Sequence, residues 1–198
     1  MKTDAGKVLP TKRATASAKG VEAYDFSPPR REFVAREMPS LPWLMTAGGD
    51  LPDINVWLAL AVEEHPHHAA AQAYWCDQPP GNQPPATLWF CRTTMLGLVR
   101  LLCQPKVVGK GALSLPEAIK VYQRFRALSG IGLLAEPTSC EDHLRDLVLK
   151  ASPALPARLW TDAYLAALAS SSGLRLVTFD RDFSRFALER CLVLDRQI

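Results

Sequence analysis

From about residue 51 onward, short apolar runs that suit a strand alternate with longer segments of helical period, and few folds accept that alternation. The strand-like runs are 51–56, ending near Asp53, then 87–90, 131–134, 174–179 and 192–194. Between them the pattern predicts helices over 57–62, over 67–76 behind Pro66, from Thr94 onward, over 116–128, over 140–150 and over 162–169. Punctuation agrees with these spans. Ser114 and Glu117 form a capping-box pattern, Ser139 precedes one helix, Thr161 is placed to cap another, and Gly173 follows its end. Gln78 to Pro85 is a Pro-rich loop, and Pro52 suits the edge or start of an element better than its middle. Strands alternating with helices imply a mostly parallel central sheet with helices on both faces, an α/β fold.

Parallel sheets of this kind gather reactive groups at the carboxyl ends of their strands. Asp53 stands at the exit of the first strand, Asp180 follows the exit of the strand 174–179, and Asp162 opens the helix that leads into that strand. Three carboxylates remote in sequence are thus expected on one rim. Taken singly, each has an ordinary structural explanation. Asp162 suits a helix N-terminus, Asp180 and Asp182 suit a turn, and only Asp53, flanked by apolar residues, is an unusual place for an acid. Taken together they repel and call for a hard cation, which oxygen ligands select and Mg²⁺ supplies. Such an ion beside a phosphodiester activates water and steadies the leaving oxygen.

Composition narrows the alternatives. The chain has 198 residues, 48% of them hydrophobic and 22% charged, enough for one globular domain with a core of its own. Its net charge of +3 resides in residues 1–44, with eight basic and five acidic residues, whereas residues 45–198 balance at fifteen of each. A neutral domain argues against bulk electrostatic coating of DNA. Residues 1–44, rich in small, polar, Pro and Arg residues, read as a disordered N-terminal extension, and Met45 is an alternative start for a domain over 45–198. Five cysteines without C-x-x-C spacing suggest neither a disulfide framework nor a zinc site, but free thiols in a reducing, cytoplasmic setting. No apolar run reaches the roughly 18 residues needed to span a bilayer.

Three blocks carry a resemblance. Leu51-Pro52-Asp53-Ile54-Asn55-Val56-Trp57-Leu58-Ala59-Leu60 with His65-Pro66-His67-His68 resembles the opening of VapC-type PIN-domain toxins. Cys91 to Leu102 resembles their central helix. Trp160-Thr161-Asp162-Ala163-Tyr164 together with Leu176-Val177-Thr178-Phe179-Asp180-Arg181-Asp182-Phe183 resembles their C-terminal signature. The resemblance implies a PIN-like three-layer α/β/α sandwich and a metal-dependent endoribonuclease, the toxin of a type II toxin-antitoxin pair, in which a metal-bound water hydrolyses RNA. It implies Mg²⁺, or Mn²⁺, on Asp53, Asp162 and Asp180, with Asp182 as a fourth candidate ligand and with Asn55 and Thr178 orienting a carboxylate or water. It also implies an RNA substrate, a VapB-like antitoxin and a homodimer, with the apolar segments 57–62 and 67–76 as candidate surfaces for the partners.

Arg92 and Arg181 are candidates for holding RNA phosphates, as is Arg100, for which a packing or salt-bridge role is an equal alternative. The central helix departs from the family pattern at Met95, near which an acid is usual, and thioether sulfur does not ligate hard cations. That departure motivates a second reading, a catalytically weak or inactive RNA- or partner-binding module. A phosphatase of the haloacid-dehalogenase type would need a second Asp where Asn55 stands. The histidines at 65, 67 and 68 read as a solvated helix start, and Trp57, Trp75, Trp89 and Trp160 read as core.

Overall fold

The structure is a computed structural model that describes residues 49–76, 87–151 and 154–195. The N-terminal extension, the alternative start at Met45 and the Pro-rich loop therefore lie outside the described residues. Five parallel strands form one sheet in the order β3-β2-β1-β4-β5: β1 Gly49–Pro52, β2 Thr87–Phe90, β3 Ile131–Leu133, β4 Arg175–Thr178 and β5 Cys191–Val193. The order turns back on itself between β1 and β4, and the crevice above such a reversal is where sheets of this class bind ligands. Pro52 sits in the central strand, against expectation. It is tolerated because β1 pairs with β2 only at Gly49 and Asp50, so its missing N–H falls beyond the last pair on that side.

Two apolar layers cover the sheet. On one face α1 (Ile54–Ala61), α2 (His68–Cys76), α3 (Arg92–Leu102) and α5 (Leu115–Arg126) bury Trp57, Trp75, Leu98 and Phe125 against Leu88 and Phe90. The Trp57 and Phe90 rings stack with centroids 3.7 Å apart. On the other face α6 (Cys140–Lys150) and α7 (Trp160–Ser171), with Leu159 just ahead of α7, bury Leu165 and Leu168 against Leu51 and Leu176. A short helix, α4 (Pro105–Val108), links α3 to α5. Gly132 lies against Trp89, where a Cβ would come within 2.3 Å of the indole.

Several expectations shift. Helix α1 begins at Ile54 rather than Trp57, because Asp53 itself serves as its N-cap. Helix α3 begins at Arg92, with Cys91 as N-cap and Thr94 in its first turn. Thr161 does not cap α7: a turn of 3₁₀ helix over Ala157–Leu159 leads into Trp160, and Asp162 is the third helical residue. Trp160 is 59% exposed and not core. Residues 56–61 are buried inside the domain, and α2 buries Ala70, Ala71, Tyr74 and Trp75, so the first of these segments offers no free surface and the second only part of one. No helix among the described residues is long and apolar enough to cross a membrane.

Candidate active site

Asp53 is reached one residue after β1 ends, and its N–H still bonds the Val177 carbonyl of β4 at 2.8 Å. Its side chain is 7% exposed yet fully engaged. Oδ1 accepts the Ile54 N–H at 2.6 Å, and Oδ2 accepts both the Asn55 amide at 2.6 Å and the Thr178 hydroxyl at 2.9 Å. Asn55 also donates to Thr178 Oγ1 at 3.0 Å and accepts the Phe179 N–H at 3.2 Å, while Thr178 Oγ1 accepts the Asp180 N–H at 3.0 Å. The exits of β1 and β4 are thus tied together by one polar network, and each buried member has a partner.

Burial pushes the Asp53 carboxyl up to about 6, an effect the hydrogen bonds from Thr178 and Ile54 oppose and the negative charges of Asp162 and Asp180 reinforce. Asp162 is likewise raised by burial and then by Asp180 and Asp182, with Arg158 working the other way. Asp53, Asp162 and Asp180 thus lie close enough for their charges to act on one another. None of the three makes an ion pair among the described residues.

Asp180 caps the 3₁₀ helix Arg181–Phe186 by accepting the Asp182 N–H at 2.8 Å. Asp182 is differently placed. Arg158 donates to its Oδ2 at 2.8 Å and Arg185 to its Oδ1 at 3.1 Å, and these bonds hold its carboxyl below the usual range. With both oxygens bound to guanidinium groups, Asp182 acts as an anchor for the rim. Arg181 is exposed and lies 3.3 Å from Asp195, turned to that partner. Arg92 is exposed as the first residue of α3, just beyond the carboxyl end of β2, next to β1 in the sheet. Met95 is half-buried and packs against the core.

The histidines behave as local structure. His68 Nδ1 lies 2.7 Å from the Ala59 carbonyl, His65 Nδ1 accepts the His67 N–H, and the His67 ring stacks on Phe179 at 4.4 Å. Sequence reasoning missed Arg158 and Arg185, whose basic character was plain but whose shared acid was not. It also missed Asp50. That residue is 3% exposed and accepts a two-pronged bond from Arg175 at 2.9 and 2.8 Å and a third from the Tyr74 hydroxyl at 2.8 Å.

Whether the rim suits a metal rests on its donors. Among the described residues no group of three His, Cys, Asp or Glu side chains stands in direct metal-holding geometry. The rim is therefore no closed cage of the kind that strips a cation of its water. Its carboxylates offer oxygen donors alone, the type a hydrated hard cation takes when one or two carboxylates and a substrate phosphate ligate it.

The PIN domain family model matches residues 51–189. Over 140 residues the chain is 39% identical to Ribonuclease VapC41 of Mycobacterium tuberculosis, covering 69% of this chain and 92% of that one. This chain belongs to the VapC-type PIN-domain ribonuclease family. A second VapC relative, Ribonuclease VapC38 of the same organism, is 34% identical over 142 residues, covering 71% of this chain and 91% of its own length. The crystal structure of VapC20 from M. tuberculosis, titled a Sarcin-Ricin loop cleaving toxin, superposes with a TM-score of 0.52 at 16% identity. It covers 74% of this chain and 100% of its own, and it supports the PIN-like α/β/α sandwich that the VapC resemblance implied.

Proposed function

We propose that this VapC-type chain is a divalent-metal-dependent endoribonuclease whose site is the rim formed by Asp53, Asp162 and Asp180. The observation that carries the reading is the elevation of the Asp53 and Asp162 carboxyls, by burial first and then by neighbouring acids that include Asp180, with no ion pair among the described residues to neutralise either one. A Mg²⁺ or Mn²⁺ ion would be held there, with Asp182 the fourth candidate and the one already committed to two arginines. When bound, such an ion supplies polarisation of the phosphoryl oxygens and a lowered pKa for the attacking water. The protein's part is orientation. Asn55 and Thr178 lock the Asp53 carboxylate in one rotamer, and Thr178 fixes the Asp180 backbone. Arg158 and Arg185 brace Asp182 beneath the rim. Arg92 is an exposed cation on the same side of the sheet for an RNA phosphate, and Arg181 could serve only by leaving Asp195.

The family also leads us to propose a co-expressed VapB-like antitoxin and a homodimer. The test of the main reading is cleavage of a structured RNA by the purified chain in Mg²⁺ or Mn²⁺. Activity should vanish in EDTA and in Asp162→Asn, and cleavage that survives that substitution would remove the metal-site assignment. One observation favours a second reading. Met95 offers no carboxylate and packs into an apolar surface, which fits a weakly active or purely binding module. RNA binding without cleavage in either metal would select it.

A further inference from the structure

Trp160 is left in water two residues ahead of Asp162, in the first turn of α7. It is 59% exposed, whereas Trp57 and Trp75 are buried and Trp89 is half-buried. Its backbone is not a frayed end. The 3₁₀ turn Ala157–Leu159 precedes it, and there Arg158 is tied to Asp182 at 2.8 Å and Leu159 is buried. Behind it Ala163 is buried as well. The indole is thus displayed outward on a base that is held from both sides, which lowers the cost of ordering it around a ligand. It also stands apart from the other exposed apolar side chains. Leu96, Leu115 and Ile119 share the apolar groove between α3 and α5, and Trp160 is not among the residues that line it.

We propose that Trp160 stacks on an unpaired base of the RNA beside the phosphodiester that is cut, an inference that rests on the rim being the nuclease site. Charge is the first argument. The cations around the rim are largely spent: Arg158 and Arg185 on Asp182, and Arg181 on Asp195. Arg92 is the cation there with no ion pair among the described residues. A strand that finds few partners for its phosphates must be held by its bases, and an aromatic face does this for any base, because every base has a π-face. Placement is the second argument. Two residues of helix rise about 3 Å, so the indole and the Asp162 carboxylate serve adjacent parts of one strand. Isolation is the third. Protein contacts favour contiguous apolar patches, whereas a single exposed indole suffices for a base.

The probes are a short single-stranded oligoadenylate and an abasic strand of equal length, which carries the same phosphates without bases. Binding to the full chain is measured in EDTA, by anisotropy of an end-labelled strand and by tryptophan emission with unlabelled strands. The wild type should prefer oligoadenylate about tenfold, and its emission should be quenched on binding. The chain holds five tryptophans, so the quenching due to Trp160 is read as the difference from Trp160→Phe. Trp160→Ala should lose the preference at low and high salt alike, because stacking releases no counterions. Trp160→Phe keeps a smaller π-face and should recover part of it, while Trp160→Leu, apolar without a π-face, should not. No binding of oligoadenylate, equal binding of both strands by the wild type, or an undiminished preference in Trp160→Ala would overturn the proposal. So would full recovery in Trp160→Leu. A dimer that dissociates in Trp160→Ala while the preference persists would assign the indole to a second copy instead. The rim is tested by metal-dependent cleavage and the indole by base preference without metal, so either reading can fail alone.

Discussion

Asp53 should make the metal-free protein more stable as the solution is acidified, the reverse of ordinary acid denaturation. Its carboxyl is raised from 3.8 to about 6, chiefly by burial. At roughly 1.4 kcal/mol per pKa unit, keeping it ionised in the folded state costs about 3 kcal/mol at neutral pH. The folded-state pKa lies above the unfolded one, so the native protein takes up the proton first. Stability is therefore gained as pH falls through about 6 and levels off below about 4. Asp53→Asn removes the titration. It retains an oxygen for the Ile54 N–H but sets an amide against Asn55 and Thr178, a constant loss of about 1–2 kcal/mol. The assay is urea unfolding of both proteins in EDTA from about pH 7.5 to about pH 4. The stability of the wild type minus that of Asp53→Asn should rise by about 3 kcal/mol across that range. Groups common to both proteins cancel in the subtraction. A difference that is flat with pH, or one that falls on acidification, would refute the claim that Asp53 is held in an environment hostile to its charge.

Three further outcomes are expected. Thr178→Val removes a donor to Asp53 and the acceptor for the Asp180 N–H, so RNA cleavage should fall about 10–100-fold with a fold intact by circular dichroism. Asp50→Ala removes the carboxylate that accepts from Arg175 and from the Tyr74 hydroxyl, and urea unfolding should register a loss of about 2 kcal/mol, the scale of hydrogen bonds to a charged group. Gly132→Ala forces a methyl into the Trp89 ring, and thermal unfolding should show a loss of about 1–3 kcal/mol.

The fold class was legible because the alternation of strand and helix was strong, and the place of Asp53 and Asp180 just past the ends of two parallel strands was legible for the same reason. Helix starts were less so. Asp53 has two jobs, strand exit and N-cap, and a pattern of apolar periodicity registers only the apolar residues that follow, which is why α1 seemed to begin at Trp57. Trp160 looked like core by residue type, but the 3₁₀ turn before α7 turns it outward to solvent, and nothing in local spacing announces that turn. The ion pairs were invisible for a different reason. Asp182 meets Arg158 across 24 residues and Asp50 meets Arg175 across 125, and the strand order that joins them is a property of the whole chain. The apolar groove escaped notice because Leu96 and Ile119 fit a helical stripe equally well whether a neighbouring element covers them or not.

The bond between Asp50 and Arg175 has a reach beyond its own neighbourhood. These two residues stand directly opposite each other in the β1–β4 ladder, and three positions further along come Asp53, just past the end of β1, and Thr178 in β4. Were β1 to slide by a single residue against β4, every side chain along it would change faces, and Asp53 would lose both the threonine and the crevice. A charged clasp at the amino ends of the strands forbids that slide, because only one alignment lets guanidinium meet carboxylate. The floor of the sheet thereby sets the aim of the carboxylate at its top, and lesions that loosen the floor should blunt cutting even though they touch nothing near the RNA.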